Sequence, residues 1–447
     1  SYIKFKIIYM KIIKKLFSPV CLTISIFLLV YTFYRSEIHW EGTRRGYYFI
    51  YYLISSVLIL YSIITFFISE KIKTYLIITL SSVVFSLYAS EVYLTTKRVV
   101  DKKIKLYKQQ TGKDYDTRTR LRIYNDLKKE HENIAITVTP GLYLTQQNKL
   151  FLLSGISNSK TLHCNENGYY SIYQSDRYGF NNPDSEWDKK EIEYLLVGDS
   201  FAHGSCVNRP GDIGSVLRTL SKKSVLNLGF GGNGPLIEYA TLREYLKPNV
   251  KNVLWLFCEC NDIADLNKEL NSEILNLYLK DLNFYQNLQS KQNQIDELKI
   301  QKIERVKEIE MEKEKERERQ NSLSFKILTF IKIYNLRDNF FVKPKLQVQP
   351  QFKEILKLAK ELSTKNNSNF YFVYLPQYHR YKENYSNNSY NQVKQVVDEL
   401  NILFIDIHKE VFEKESNPLK LFPFKLSGHY NVEGYRKVAE AIIRKKN

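Results

Sequence analysis

Cysteine is scarce in this chain of 447 residues: there are five, too few for a disulfide framework. Cys258 and Cys260 flank a single residue at the end of an apolar run, and no histidine pair nearby completes a tetrahedral set, so no metal site is expected. A nucleic-acid signature is lacking as well. The formal net charge is +18, but the basic residues are spread along the chain without a recognition motif, so no nucleic-acid partner is expected. The surplus is compatible with anionic lipid or an acidic polymer.

Charge is also absent locally. Before residue 95 the sequence holds three uncharged apolar stretches, Leu16 to Tyr34, Gly46 to Ser69 and Thr74 to Ser90, read as helices at about 16–34, 46–69 and 74–94. Each approaches the ~20 residues that a helix needs to cross ~30 Å of hydrocarbon. A cleavable secretory signal has a shorter apolar core and a small-residue cleavage site, which three successive spans argue against. Residues 1–95 are therefore expected to be a transmembrane anchor whose partner is the lipid bilayer. Pro19 falls in the first span, where neighbouring helices can satisfy the carbonyl it frees. Lys4, Lys6, Lys11, Lys14 and Lys15 favour an inside N-terminus, and an odd number of spans then puts the C-terminal domain outside. Arg44 and Arg45, with Lys97, Arg98, Lys102 and Lys103, pull the other way.

Residues 96–190 are polar with short apolar runs, read as a lead-in helix around 117–130 followed by irregular and short-strand structure. From residue 191 a different pattern begins. Five short, nearly continuous apolar runs, 194–197, 224–228, 253–257, 370–375 and 403–406, are separated by helix-length segments. Strands buried on both faces of a parallel sheet read this way. The expectation is a three-layer α/β/α domain over 191–447 whose ligands sit at the carboxyl ends of the strands. A helical charged insertion, about 268–320, interrupts it and ends in a mixed-charge run laced with i,i+4 pairs. Within 288–310, Ile295, Leu298, Ile303, Val306 and Ile309 form a narrow stripe suited to a partner helix.

The chemistry-bearing residues follow the strands. Leu195 to Val197 run straight into Gly198-Asp199-Ser200, a turn that exposes a serine at a strand end with its backbone N–H available to an oxyanion. After the second strand comes a glycine-dense loop, Asn227 to Pro235, holding Gly232. After the third comes Glu259-Cys260-Asn261-Asp262, offering a side-chain amide. Near the C-terminus His429 precedes a final helix over 432–444. Separately these are a strand-end turn, a loop, a helix cap and a helix-entry histidine. Together, in this order and with three of them directly after strands, they make a site. His203, beside the serine turn, and Arg380 with His379, after the fourth strand, are candidate substrate contacts. Cys164 and Cys206 stand on either side of the serine turn; in an oxidising compartment they pair, and otherwise they are two free thiols.

In its order of Ser, Gly, Asn and His blocks over residues 190–447 the chain resembles the SGNH/GDSL hydrolase superfamily. The resemblance implies Ser200 as nucleophile and His429 as general base, with an oxyanion hole from the N–H groups of Ser200 and Gly232 and the Asn261 amide. It implies no metal and no organic cofactor. Two departures stand out. Glu259 occupies a position usually held by glycine, which alters the local backbone or adds a carboxylate to the cleft. Leu426 occupies the position, three before the histidine, of the usual orienting aspartate. A backbone carbonyl, Ser427, or a distant carboxylate such as Asp406 is left to orient His429. The segment Ser175 to Pro183 is similar to bacterial envelope members of the superfamily, some of which handle O-acetyl groups on polysaccharides. The implied protein is a multi-pass inner-membrane esterase or deacylase with its catalytic domain outside the cytoplasm, acting on a carbohydrate or other ester. An O-acyltransferase and a non-catalytic membrane-tethered binding protein are the alternatives.

Overall fold

The structure, a computed structural model, describes residues 2–96, 99–144, 150–340, 347–382 and 385–446, and of these the side chains of all but 2–10, 95–96, 99–101, 321 and 338–340. Lys97 and Arg98, which bear on topology, lie outside the described residues, as do the side chains of Lys4 and Lys6. There are two compact units: residues 1–97 with 323–342, and residues 98–322 with 343–447.

In the first unit a helix over Tyr2–Phe33 runs into a π turn over Tyr34–His39, and helices Arg45–Ile64 and Glu70–Thr96 follow. Three segments, Lys11–His39, Arg45–Ile64 and Glu70–Leu94, are long and apolar enough to cross a membrane. The second helix stops at Ile64 rather than running on to residue 69. There the Thr65 hydroxyl donates to the Ser62 carbonyl at 2.6 Å, and Ser18 Oγ donates to the Thr65 carbonyl at 3.0 Å. Polarity in this unit is the reverse of a water-soluble bundle: Ser18, Ser25, Ser55 and Ser62 are buried while Phe27, Phe49, Phe67 and Phe85 are exposed. Small hydroxyl residues let helix backbones approach closely, and Ser25 Oγ lies 3.1 Å from Ser62 Oγ. Pro19 sits inside the first helix without ending it. Two further helices, Leu323–Ile331 and Tyr334–Phe340, complete this unit, although they lie within the span expected to be one continuous catalytic domain.

The second unit contains all eight strands of the described residues. Three short ones, β1 (Ile134–Ile136), β2 (Lys160–Leu162) and β3 (Ile172–Gln174), form a small sheet, with β1 parallel and β3 antiparallel to β2. The others, β4 (Ile192–Gly198), β5 (Val225–Asn227), β6 (Val250–Cys258), β7 (Asn369–Leu375) and β8 (Leu403–Asp406), form one sheet in the order β5-β4-β6-β7-β8, parallel throughout. Successive side chains of a strand point to opposite faces, so Leu195, Val197, Trp255, Phe257 and Phe372 pack into one core and Leu196, Leu254, Leu256 and Val373 into another. Helices Pro235–Tyr245 and Pro350–Lys365 cover the first face; Ile213–Ser221 and Val432–Lys446 cover the second. This is a three-layer α/β/α domain. Each fully buried Leu or Phe contributes about 1.5–3 kcal/mol, which is why strands this short hold.

The charged insertion holds a short helix over Glu273–Lys280, a 3₁₀ turn over Leu288–Lys291 and a long helix over Gln292–Asn321, which carries the stripe. Its apolar stripe is not left for a partner helix: Ile295, Ile303 and Val306 are buried in the domain's own core, and Arg120 of the lead-in helix, Arg120–Glu130, pairs with Glu310 at 3.0 Å. The lead-in helix and β1, both distant in sequence, fill the stripe.

The segment Ser175 to Pro183 has a structural task. The buried Asp176 carboxylate accepts from the backbone N–H groups of Tyr178 and Phe180 at 2.9 Å each, from Asn182 Nδ2 at 2.9 Å and from Trp187 Nε1 at 2.7 Å. Asn182 in turn bonds the backbone of Asn227 at the end of β5, at 2.8 and 3.0 Å. Asp176→Asn turns an acceptor into a donor facing donors. It is expected to destabilise this unit by about 1–3 kcal/mol, measured by urea unfolding of the full chain followed through tryptophan fluorescence.

Candidate active site

The central strand β4 delivers Ser200. Asp199 caps the one-turn helix Ser200–His203 by accepting from Phe201 N–H at 2.8 Å, which sets the serine at the first position of that helix, two residues after the strand. Gly198 permits the turn to press against the next strand: a Cβ there would lie 2.6 Å from the Leu256 carbonyl oxygen and 2.7 Å from Ala202 Cβ. Helix Val432–Lys446 packs against Ile213–Ser221 on the same face, and His429 lies just before its start.

Ser200 Oγ is 2.9 Å from His429 Nε2. The other ring nitrogen, Nδ1, is 3.1 Å from Glu166 Oε2, and the His429 backbone N–H donates to the same oxygen at 2.6 Å. The acid missing before the histidine is thus supplied from a loop upstream of β4. Neither Asp406 nor Ser427 takes that place. Asp406 accepts from Tyr390 at 2.5 Å, and the Ser427 carbonyl accepts from Lys103 Nζ at 3.3 Å. Gly428 makes room for the arrangement: a Cβ there would sit 2.6 Å from Glu166 Oε2.

Several contacts hold Glu166 in place. Cys164 and Cys206 are joined in a disulfide, tying the loop to the segment after the serine helix. Asn167 Nδ2 donates to the Cys206 carbonyl at 2.8 Å, and the Tyr107 ring packs so closely on Gly168 that a Cβ there would lie 2.3 Å away. Sequence reasoning passed over Glu166 because it sits in an irregular loop. The usable signal was Cys164 and Cys206: bridging them brings residue 166 beside the helix that Ser200 starts.

Electrostatics follow from this geometry. Burial works to lower the His429 pKa, but the charge of Glu166 and the hydrogen bond to it outweigh burial and hold the ring above its ordinary 6.5. Burial likewise works to raise Glu166, and the charge and hydrogen bonds of His429 hold it below the ordinary carboxylate value instead. Such a chain can draw the proton from Ser200 Oγ onto Nε2 while Nδ1–H stays on the carboxylate.

On the other side of Ser200 the glycine loop closes in. A Cβ on Gly231 would be 3.9 Å from Ser200 Cβ, and Gly232 follows in a left-handed conformation at φ 79°. Glu269 holds this loop, accepting from the N–H groups of Gly234 at 2.5 Å and Leu236 at 2.9 Å. Asn261 stands at the end of β6 before the helix Asp262–Glu269. Its Nδ2 donates to Asp265 at 2.6 Å, leaving one amide hydrogen uncommitted to that contact.

Three expected substrate contacts are placed elsewhere. His203 is 2% exposed, packed among His163, Tyr173 and Phe230 with ring centroids at 4.7, 4.9 and 5.9 Å. It follows the serine in sequence, but the helical turn rotates it into the core. Glu259 and Arg380 meet each other at 2.6 Å with both side chains almost wholly buried. Glu259 also accepts from Tyr374 at 2.6 Å, from the Gln377 N–H at 3.1 Å and from Tyr385. Buried and hydrogen-bonded in this way, the ion pair clamps the ends of β6 and β7 to each other. Cys258 and Cys260 form a second disulfide directly before Asn261.

A serine, a histidine and a carboxylate in one hydrogen-bonded line, on the carboxyl end of a parallel α/β sheet, define the class: a serine-hydrolase type of site. Its fold and block order resemble the SGNH/GDSL superfamily, with the acid drawn from a different part of the chain. No family model and no curated protein matches the chain. Among solved structures it is similar to a G-D-S-L family protein from Desulfitobacterium hafniense, 14% identical with a TM-score of 0.31, over 57% of this chain and 99% of that one. It is also similar to the acetylxylan esterase Axe2 from Geobacillus stearothermophilus, 14% identical with a TM-score of 0.30, over 57% and 93%. A third likeness is to the acetyl xylan esterase AlAXEase, 13% identical with a TM-score of 0.30, over 57% and 98%.

Since only neutral His429 can accept a proton, ester turnover at limiting substrate should rise with pH through a midpoint above 6.5. Glu166→Gln removes the charge that holds the ring up. It is expected to move that midpoint down and to lower kcat about 100- to 10,000-fold, measured as a pH–rate profile on an aryl ester. Gly428→Ala, which displaces the Glu166 carboxylate without removing it, should lower kcat in the same direction by less, with the fold retained by circular dichroism.

Proposed function

We propose that this chain is a membrane-anchored serine esterase or deacylase of the SGNH/GDSL kind, acting through a Ser200 acyl-enzyme. The observation that carries the reading is the unbroken line Ser200 Oγ, His429, Glu166, with contacts of 2.9 and 3.1 Å. Ser200 attacks the ester carbonyl as its proton passes to His429 Nε2. The oxyanion is met by the N–H groups of Ser200 and Gly232 and by the free amide hydrogen of Asn261. His429 returns the proton to the departing alcohol, and water repeats the sequence in reverse to release the acid.

The compartment and substrate extend this proposal. Two disulfides, Cys164–Cys206 and Cys258–Cys260, support an oxidising surrounding, outside the cytoplasm. The resemblance of the Ser175 to Pro183 segment to envelope proteins supports an O-acyl carbohydrate as the ester. Transfer of the acyl group to a sugar hydroxyl would use the same acyl-enzyme.

The test uses the full chain in detergent. A fluorophosphonate probe is expected to label the folded protein at Ser200, and Ser200→Ala to abolish labelling and cut hydrolysis of an acetyl ester by ~10,000-fold or more. Adding an acetylated oligosaccharide with an unacetylated acceptor separates hydrolysis from transfer by the ratio of free acetate to acetylated acceptor. A wild-type serine that stays unlabelled while the chain remains folded would sink the catalytic reading in favour of a binding protein.

A further inference from the structure

Residues 323–340 leave the sequence of the sheet unit between β6 and β7 and belong to the compact unit of the three apolar helices. They form two helices, Leu323–Ile331 and Tyr334–Phe340, and Tyr88 and Glu91 fasten them to the helix Glu70–Thr96. Tyr88 OH donates to the Ile331 carbonyl at 2.9 Å, and its ring lies 5.0 Å from that of Phe330. Glu91, wholly buried, accepts from the Asn335 N–H at 3.1 Å, Asn335 Nδ2 at 2.8 Å and the Leu336 N–H at 2.9 Å. An ionisable residue within an apolar span is costly unless such partners satisfy it. The carboxylate near the end of the third span is therefore explained by the segment docked on it.

The outer surface of this segment is apolar. Leu323 is 73% exposed, Ile331 58%, and Ile327 and Leu328 about half. At i, i+4, i+5 and i+8 these four fall on one side of the helix, continuous in kind with exposed Phe67 and Phe85 of the same unit. The charged residues of 323–340 are Lys326, Lys332, Arg337 and Asp338, and of these Lys326 and Lys332 are exposed. Basic residues beside an apolar helix face suit a membrane surface with anionic headgroups. Tyr88 and Glu91 lie in the closing turns of the span Glu70–Leu94, so the docked helices belong to the boundary where that span ends.

We infer that residues 323–340 are a fourth membrane element: an interfacial helical hairpin with Leu323, Ile327, Leu328 and Ile331 in the acyl-chain boundary and its lysines at the headgroups. The inference rests on the membrane reading of the three apolar helices. It gives the sheet unit two more covalent connections to the membrane unit, on either side of the hairpin, in addition to the one after the third helix.

The experiment places a photoactivatable phenylalanine analogue at Phe85, Ile327 or Ile331 in the full chain, reconstituted in vesicles of phosphatidylethanolamine and phosphatidylglycerol. Adducts are identified by mass spectrometry. Lipid adducts at all three positions are expected. Lipid at Phe85 with only protein adducts, or none, at Ile327 and Ile331 would overturn the hairpin while leaving the three spans standing. No lipid at Phe85 would overturn the membrane reading and the hairpin with it.

Discussion

The contact between Glu166 and His429 organises the site. One carboxylate oxygen receives both the backbone N–H and the ring nitrogen of the histidine, at 2.6 and 3.1 Å, so it fixes the position of the loop and the orientation of the imidazole together. Everything near it gives way to that oxygen. Residue 428 is a glycine because a side-chain carbon would collide with it. The loop that carries it is tied by a disulfide whose partners are separated by 42 residues, a closure worth ~4 kcal/mol against the unfolded chain. Tyr107 and Lys103, from the helix Val99–Thr111, pack on the same loop and on the turn before the histidine.

This makes the region before the sheet part of the site rather than an approach to it. In a parallel α/β sheet the strand ends present the reactive groups, and here β4 and β6 present Ser200 and Asn261. The acid comes instead from the polar stretch between the lead-in helix and β4. The buried hydrogen bonds of Asp176 and Asn182 bring that stretch onto β5, and Asn181 Nδ2 adds a bond to the His203 carbonyl at 3.1 Å. Orientation of the His429 ring thus depends on packing of a segment with little regular structure.

Much of the fold was legible because burial on both faces leaves a plain record: five apolar runs, each near a strand of the sheet. The apolar helices were legible for the same reason, since hydrocarbon admits few charges. Side-chain direction was less legible. His203 and Arg380 both stand next to strand ends in sequence, but one helical turn buries the first and an ion pair with Glu259 absorbs the second. The stripe on the charged helix looked available only because the lead-in helix that covers it is distant in sequence. Residues 323–340 fall within the span expected to be the catalytic domain, and nothing local signals that Glu91, more than 240 positions away, receives their N–H groups.

By itself the sequence determined the layered α/β class, the apolar helices, and the serine, glycine, asparagine and histidine that follow one another along the sheet. Those properties are local: a strand end, a turn and an apolar run are each written in a few adjacent residues. Only the tertiary structure decided which acid faces His429, because that choice depends on where two loops 263 residues apart meet. It also decided the grouping of 323–340 with the apolar helices, since a buried carboxylate finds its donors by packing and not by sequence spacing.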